Sequence, residues 1–368
     1  MRVFTICTGS VQEADTLPAR LPDTGYVWIA CARREFEVVQ LQVQSTLTTL
    51  CGGPLVDLHV SDLLNNQLPS HYDYTSLYDV LVFRRLATSQ TETDLTRPGE
   101  PLHEAREGVP RALKRVNTSP VGFAVFDRVL LSVHPADCSV RESFAERLLN
   151  ANTPEPRNAG ARLPPDPADM MLRIVNSMVD GYLDLRRQLT RDLDRWQVEL
   201  LKPQGRFNNW ASMLGMRLSL HQLDEICEDQ RAAIQDWIEA VKTWEDPSTP
   251  EGQRDRELLM VRSRDVLEHI ERVIHHVDRL ERSAETAVQM HFSVQGNRTN
   301  DTMKTLTALT AIFLPLNLVT GFFGMNFEFL PLIHQSNGIW WAVAVMVIVG
   351  GAMGLWFWRK RYLASSAR

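Results

Sequence analysis

Two apolar runs near the C-terminus, Leu306 to Phe323 and Ile339 to Trp358, constrain this chain more than any other feature. Each is long enough to cross a bilayer as a helix, which takes about 20 apolar residues with a lower limit near 17. The connection between them, from Phe327 to Gly338, is too short for a domain and contains no Lys or Arg, so the pair reads as a hairpin. Basic residues sit at its outer ends: Arg298 and Lys304 before the first run, Arg359-Lys360-Arg361 after the second. By the positive-inside rule both chain ends face the cytoplasm and the loop faces outward. Trp340, Trp341, Trp356 and Trp358 flank the second run, where amphipathic rings prefer the headgroup layer.

The rest of the chain reads as a large soluble body ahead of this hairpin. Its net charge of -6 over 368 residues lacks the basic footprint that phosphate contacts need, which argues against nucleic acid as a partner. The first residues become polar again after Cys7, unlike a secretory leader. Cys7, Cys31, Cys51, Cys138 and Cys227 are scattered and odd in number, the pattern of reduced thiols. There is no Gly-rich phosphate loop, Walker lysine, or paired Cys or His-Glu set at ligand spacing, so the chain is not expected to be an enzyme.

From Met1 to about Pro164, short β-rich runs alternate with loop chemistry, which predicts an α/β domain. Its best strands are Val3 to Thr8, Tyr26 to Ala32, Val80 to Arg84, Val121 to Phe126 and Val129 to His134, the last two joined as a hairpin across Asp127-Arg128. Glu37 to Leu50 and Ser61 to Asn65 supply candidate helices. The breaker-rich stretch Asn152 to Gly160 marks the expected boundary. Long helical patterns follow over Asp169 to Leu201 and Phe207 to Thr243, then from about Gln253 into the first apolar run with no proline before Pro315. That last helix would be on the order of 100 Å long. A helix of that length needs partners, so it implies a stalk packed on its own copies or on the preceding helices. The expected class is an α+β membrane protein. It comprises a cytoplasmic α/β domain (1–164), a long-helix stalk (165–304), a first span (305–325), an outer loop (326–338), a second span (339–358) and a basic tail (359–368).

The first span is not an ordinary anchor. Asn300, Met303, Leu306 with Thr307, Thr310, Leu314, Asn317 and Gly321 recur at spacings of three and four and share one helix face. That face holds most of the span's polar groups, while Ile312, Phe313, Leu316, Val319 and Phe323 cover much of the rest. An unpaired amide at Asn317 would cost several kcal/mol against hydrocarbon. Such a residue faces a bundle interior or a water-filled cavity, or it joins two helices by a hydrogen bond.

Gly324-Met325-Asn326 ends this span. Asn300-Asp301-Thr302-Met303-Lys304 precedes it, Pro315 lies within it, Phe327-Glu328 follows, and Arg264-Asp265-Val266-Leu267-Glu268-His269-Ile270 stands upstream. The arrangement resembles the CorA-type divalent metal ion transporters, specifically from about Arg264 onward and in order of elements before that. The resemblance implies a homopentamer whose first spans line a central pore and whose second spans form an outer ring. It also implies rings of uncharged oxygens from Asn300, Thr310 and Asn317, and apolar constrictions at Met303, Leu306 and Leu314. Asn326 would form the outer mouth, with Gly324 permitting a close turn, Met325 packing behind it, and Glu328 concentrating cations. Asp265 matches a position that helps bind an intracellular regulatory ion between subunits. Mg2+ suits such a pore because it dehydrates reluctantly and is easily held through its water. Leu332 and His334 in the loop leave Zn2+, Co2+ or Ni2+ open, as imidazole suits those ions better. A non-conducting membrane-anchored scaffold is the reading from another class.

Overall fold

The computed structural model describes residues 1–7, 10–86, 117–136, 138–150, 163–200, 210–245, 247–325 and 338–360. In chain order the elements are β1 (Arg2–Cys7), β2 (Ser10–Ala14), β3 (Tyr26–Ala32), α1 (Arg33–Cys51), α2 (Asp57–Leu64), β4 (His71–Tyr74) and β5 (Asp79–Leu86). There follow β6 (Thr118–Val125), β7 (Val129–His134), α3 (Ser139–Asn150), α4 (Pro167–Leu200), α5 (Trp210–Thr243), α6 (Pro250–Phe323) and α7 (Gly338–Arg359). The chain divides into two units, one of residues 1–199 with 206–284, the other of residues 200–205 with 285–368.

A seven-stranded sheet of order β2-β1-β3-β7-β6-β5-β4 organises the first unit. Strands β3 and β7 pair in parallel at its centre, and every residue of both is buried. Strands covered on both faces carry nearly continuous apolar sequence rather than alternation, as these two do. On one face Phe36, Val43 and Leu47 of α1 and Val60 and Leu63 of α2 pack with Val27, Ile29, Val129 and Leu131. Helix α2 comes close enough that a Cβ at Gly122 of β6 would stand 2.3 Å from Leu63 Cδ2, so any larger residue there would displace the Leu63 side chain. Gly52, at φ +85°, closes α1 in the left-handed conformation that β-carbon-bearing residues resist.

On the other face Trp28 stacks on Phe4 at 4.8 Å and meets the ring edge of Phe144 at 6.3 Å. Its indole N–H donates to Ser132 Oγ at 2.8 Å, and the same hydroxyl is hydrogen-bonded to His134 Nε2, also at 2.8 Å. His134 Nδ1 then faces Cys138 Sγ at 3.4 Å. This chain of partners leaves no polar atom of the trio unpaired in a fully buried site. Burial, and then the charges of Arg141, Arg85 and Arg33, hold the His134 imidazole well below its ordinary pKa.

Three long helices complete the first unit. Helices α4 and α6 run parallel, joined by Thr190 to His276 and by Gln197 Nε2 to Ser283 Oγ, each at 2.8 Å. Helix α5 runs the opposite way, its Trp237 Nε1 donating to Ser263 Oγ of α6 at 3.1 Å. Near the α5 C-terminus the Arg256 guanidinium of α6 donates to the carbonyls of Val241 at 3.0 Å and Trp244 at 2.9 Å, a cationic cap on carbonyls that lack helical partners.

Predicted strands coincide with β1, β3, β5, β6 and β7, and the two-residue hairpin closes through Phe126 N–H to Val129 C=O at 2.9 Å. Helix α2 starts earlier than expected, at Asp57. The elements β2, β4 and α3 were not anticipated: β2 and β4 are edge strands with little apolar alternation, and α3 buries only Phe144, Ala145 and Leu148. The breaker-rich stretch Asn152 to Gly160 lies outside the described residues.

In the second unit, α6 continues unbroken through Pro315 to Phe323, and α7 covers the second apolar run. These two helices are long and apolar enough to cross a membrane.

Candidate functional site

In the second unit, α6 divides lengthwise into two faces. Ala308 is wholly buried and Ile312, Pro315, Leu316 and Val319 are half-buried, a stripe at spacings of three and four. On α7 the matching stripe is Ala342, Met346, Val349, Gly350, Met353 and Phe357, buried or half-buried. The helices meet where a Cβ at Gly350 would lie 3.7 Å from both Leu316 methyls, an ordinary van der Waals approach. A glycine here lets the backbones come close without a cavity, as membrane helix pairs require.

About half a turn around α6 from that contact lie Met303, Leu306, Thr310, Leu314, Asn317 and Gly321. All six are exposed, Leu314 at 69% and Leu306 at 60%. Asn300, one turn before, is exposed as well. The sequence-predicted stripe is therefore gathered on one surface of the unit, turned away from α7. No residue from Thr305 to Met325 carries a charge.

The hydroxyls on and beside the stripe have a fixed polarity. Thr310 donates to Leu306 C=O at 2.9 Å, Thr307 to Met303 C=O at 2.8 Å, and Thr320 to Asn317 C=O at 3.0 Å. A hydroxyl has one hydrogen, so each oxygen that has given it to the backbone can offer only lone pairs outward. Such a surface offers hydrogen-bond acceptors and no hydroxyl donors.

At the end of α6 the Gly324 N–H donates to Thr320 C=O at 3.0 Å, and Met325 N–H reaches Phe322 C=O at 3.4 Å. Gly324 is not in the left-handed conformation, but a Cβ there would stand 3.1 Å from the Thr320 carbonyl oxygen. The glycine therefore relieves crowding as the chain leaves the helix. Met325 is 47% exposed. Asn326, Glu328, Leu332 and His334 lie outside the described residues.

Asp265 belongs to the first unit, exposed on α6, its Oδ1 3.7 Å from His269 Nε2. With Asp180, Asn176, Ser177, Arg147 and Arg262 it lines a cleft of about 430 Å³. Two buried atoms in this neighbourhood, Asn176 Oδ1 and His269 Nδ1, have no hydrogen-bond partner among the described residues. Beside the cleft, Arg173 and Arg262 both grip the buried carboxylate of Asp169, Arg173 Nε at 3.0 Å. Among the described residues no three His, Cys, Asp or Glu side chains converge as a metal cage. Sequence reasoning missed Asp169, Asn176 and Asp180; nothing in a helical pattern distinguishes them from solvated polar positions. His275 is exposed, whereas His276 is turned against α4.

Comparison with known proteins bears on what such a stripe does. The family described as CorA-like Mg2+ transporter protein matches residues 39–361. The cobalt/magnesium transport protein CorA of Thermotoga maritima is 25% identical over 197 residues, 53% of this chain and 53% of that protein. The magnesium transport protein CorA of Yersinia pseudotuberculosis is 35% identical over 101 residues, 27% of this chain and 32% of the relative. The chain thus spans about half the length, or less, of these curated relatives. The complete structure of the CorA magnesium transporter of Methanocaldococcus jannaschii shares the fold, with a TM-score of 0.69 and 17% identity over 97% of both chains.

Proposed function

Because this chain belongs to the CorA-like Mg2+ transporter family, we propose that it conducts magnesium through a central pore built by five copies of itself, in a plasma or inner membrane with both chain ends cytoplasmic. The observation that carries this reading is the exposed stripe on α6. In a pentamer, rings of Asn300, Thr310 and Asn317 present acceptor oxygens to the water of a hydrated ion, and Met303, Leu306 and Leu314 alternate with them as apolar constrictions that gate by dewetting. Gly321 leaves room beside Asn317. Second-shell contact suits Mg2+, whose hexahydrate is costly to strip. At the outer end Gly324 and Met325 bring the chain out of the membrane, Asn326 forms the mouth, and Glu328 raises the local cation concentration.

No covalent step is involved. A divalent ion moves down its electrochemical gradient, inward flow gaining about 2.3 kcal/mol per charge per 100 mV of negative-inside potential. Asp265 serves as a regulatory carboxylate that holds the closed state when a cation is bound. Cobalt, nickel and zinc are the competing ions. The name of the Thermotoga maritima relative couples cobalt with magnesium, which favours cobalt among the three.

Uptake into liposomes carrying the purified protein, with magnesium, cobalt, nickel and zinc compared, tests the reading together with Asn326→Ala. The expected result is magnesium flux in the native protein, reduced at least about tenfold in the variant, a loss of about 1.4 kcal/mol or more. Zinc flux alone would reassign the ion, and no flux of any ion at low internal metal would leave an oligomeric scaffold.

A further inference from the structure

Helices α4 and α6 meet at a histidine whose hydrogen atoms can be placed from its neighbours. Thr190 Oγ1 donates its one hydrogen to the Arg186 carbonyl at 2.9 Å. The contact of that oxygen with His276 Nε2, at 2.8 Å, therefore needs the hydrogen on the imidazole. His276 Nδ1 is then the acceptor, and the Arg279 guanidinium lies 3.2 Å away as donor. Arginine has no lone pair to offer, so the arrangement accommodates the neutral Nε2–H tautomer and no protonated form.

The surrounding charges act in the same sense. Partial burial, Arg186 from α4 and Arg279 from α6 all hold the His276 imidazole below its ordinary range. Neighbouring carboxylates are engaged elsewhere: Asp278 faces Arg282 at 2.8 Å and Asp184 faces Arg187 at 3.1 Å. Further along the same pair of helices, the Gln197 to Ser283 link contains no titratable group.

We propose that the Thr190–His276–Arg279 contact is a proton-responsive joint between α4 and α6, closed while the imidazole is neutral and released when cytoplasmic acidification charges it. Protonation puts an N–H on Nδ1 facing the Arg279 donors, which removes that hydrogen bond and adds a third cation beside Arg186 and Arg279. The joint sits on the same helix as the polar stripe. Its influence on transport rests on the proposed function; its existence does not.

Hydrogen exchange on the full chain in lipid nanodiscs tests it, following segments 186–193 and 272–280 at pH values of about 7.5 and 5.5 with the intrinsic pH dependence removed. Protection in the native protein should fall about tenfold on acidification, the equivalent of one pKa unit. In His276→Gln, whose amide keeps one donor and one acceptor, the same change should stay under about twofold. His276→Lys should be poorly protected already at the higher pH. If His276→Gln fails to fold, Thr190→Val supplies the second test: low protection at both pH values. Equal acid loss in the native protein and in whichever variant folds overturns the joint. Exchange that responds while magnesium uptake does not overturns only its link to transport.

Discussion

The two units of this protein use apolar surface in opposite ways. In the first, large side chains are shut away, Trp28 of the sheet and Trp237 of α5 at 0% exposure, and buried polar groups such as Ser132 and His134 bond one another. In the second, Leu306, Leu314 and Leu318 stand 60%, 69% and 74% exposed on the part of α6 that, among the described residues, pairs with α7. The first unit thus stabilises itself within one chain. The second leaves its apolar surface to be covered by something other than itself: in the proposed assembly, lipid on an outer face and further copies on an inner one. Substitutions should therefore be read by different measurements in the two places: unfolding in one, ion flux in the other.

The sharpest way to break that comparison lies at Asp169, 3% exposed as a side chain and held by Arg173 and Arg262. Asp169→Ala leaves two guanidinium groups facing an emptied site and should cost about 3 kcal/mol in urea unfolding. An unchanged midpoint would show that the first unit does not depend on its buried partners.

A smaller effect comes from pH. An unfolded histidine takes its proton near pH 6.5, whereas His134 takes one only well below that, so beneath pH 6.5 the unfolded chain binds more protons. Stability should then fall as pH drops through this window, by at most about 1.4 kcal/mol per pH unit. Asp166 opposes the trend. Its carboxyl is pushed up to about 6, by burial first and then by Asp255, so the folded chain gains a proton there that the unfolded chain does not yet bind. The net loss should be steepest just below pH 6.5 and flatten under pH 6, and His134→Asn should remove the steep part.

The smallest effect on stability is expected at the stripe. Leu314→Ala should shift the unfolding midpoint by no more than about 0.5 kcal/mol, as at an exposed position, while changing magnesium flux severalfold. A large shift in stability with normal flux would place Leu314 in a packed core and remove it from the proposed pathway.

The same contrast explains what the sequence made legible. Central strands such as β3 and β7 are buried on both faces and announce themselves as apolar runs, and the two spans do so by length. Edge strands such as His71–Tyr74 carry their register in backbone pairing with β5, which leaves no apolar period to read. At the stripe, spacing alone grouped Met303 through Gly321, because a helix has one geometry. Spacing could not reveal that Asp169 is a buried anchor or that His276 is held between Thr190 and Arg279, since Arg262, which grips Asp169, and Thr190, which meets His276, come from helices distant in sequence. Asn326 and Glu328 were legible only through resemblance.

The hydroxyls of Thr307 and Thr310, committed to the helix backbone, carry one more consequence. In the proposed pore they would set a preference for cations over anions with oriented dipoles and no ionised group, since no residue between Thr305 and Met325 carries a formal charge to attract a counterion cloud. Discrimination by charged rings weakens with salt, as screening shortens their reach to about 8 Å at physiological ionic strength. A lining of aimed lone pairs acts only at contact, so its choice of sign should hold unchanged from dilute to concentrated solution.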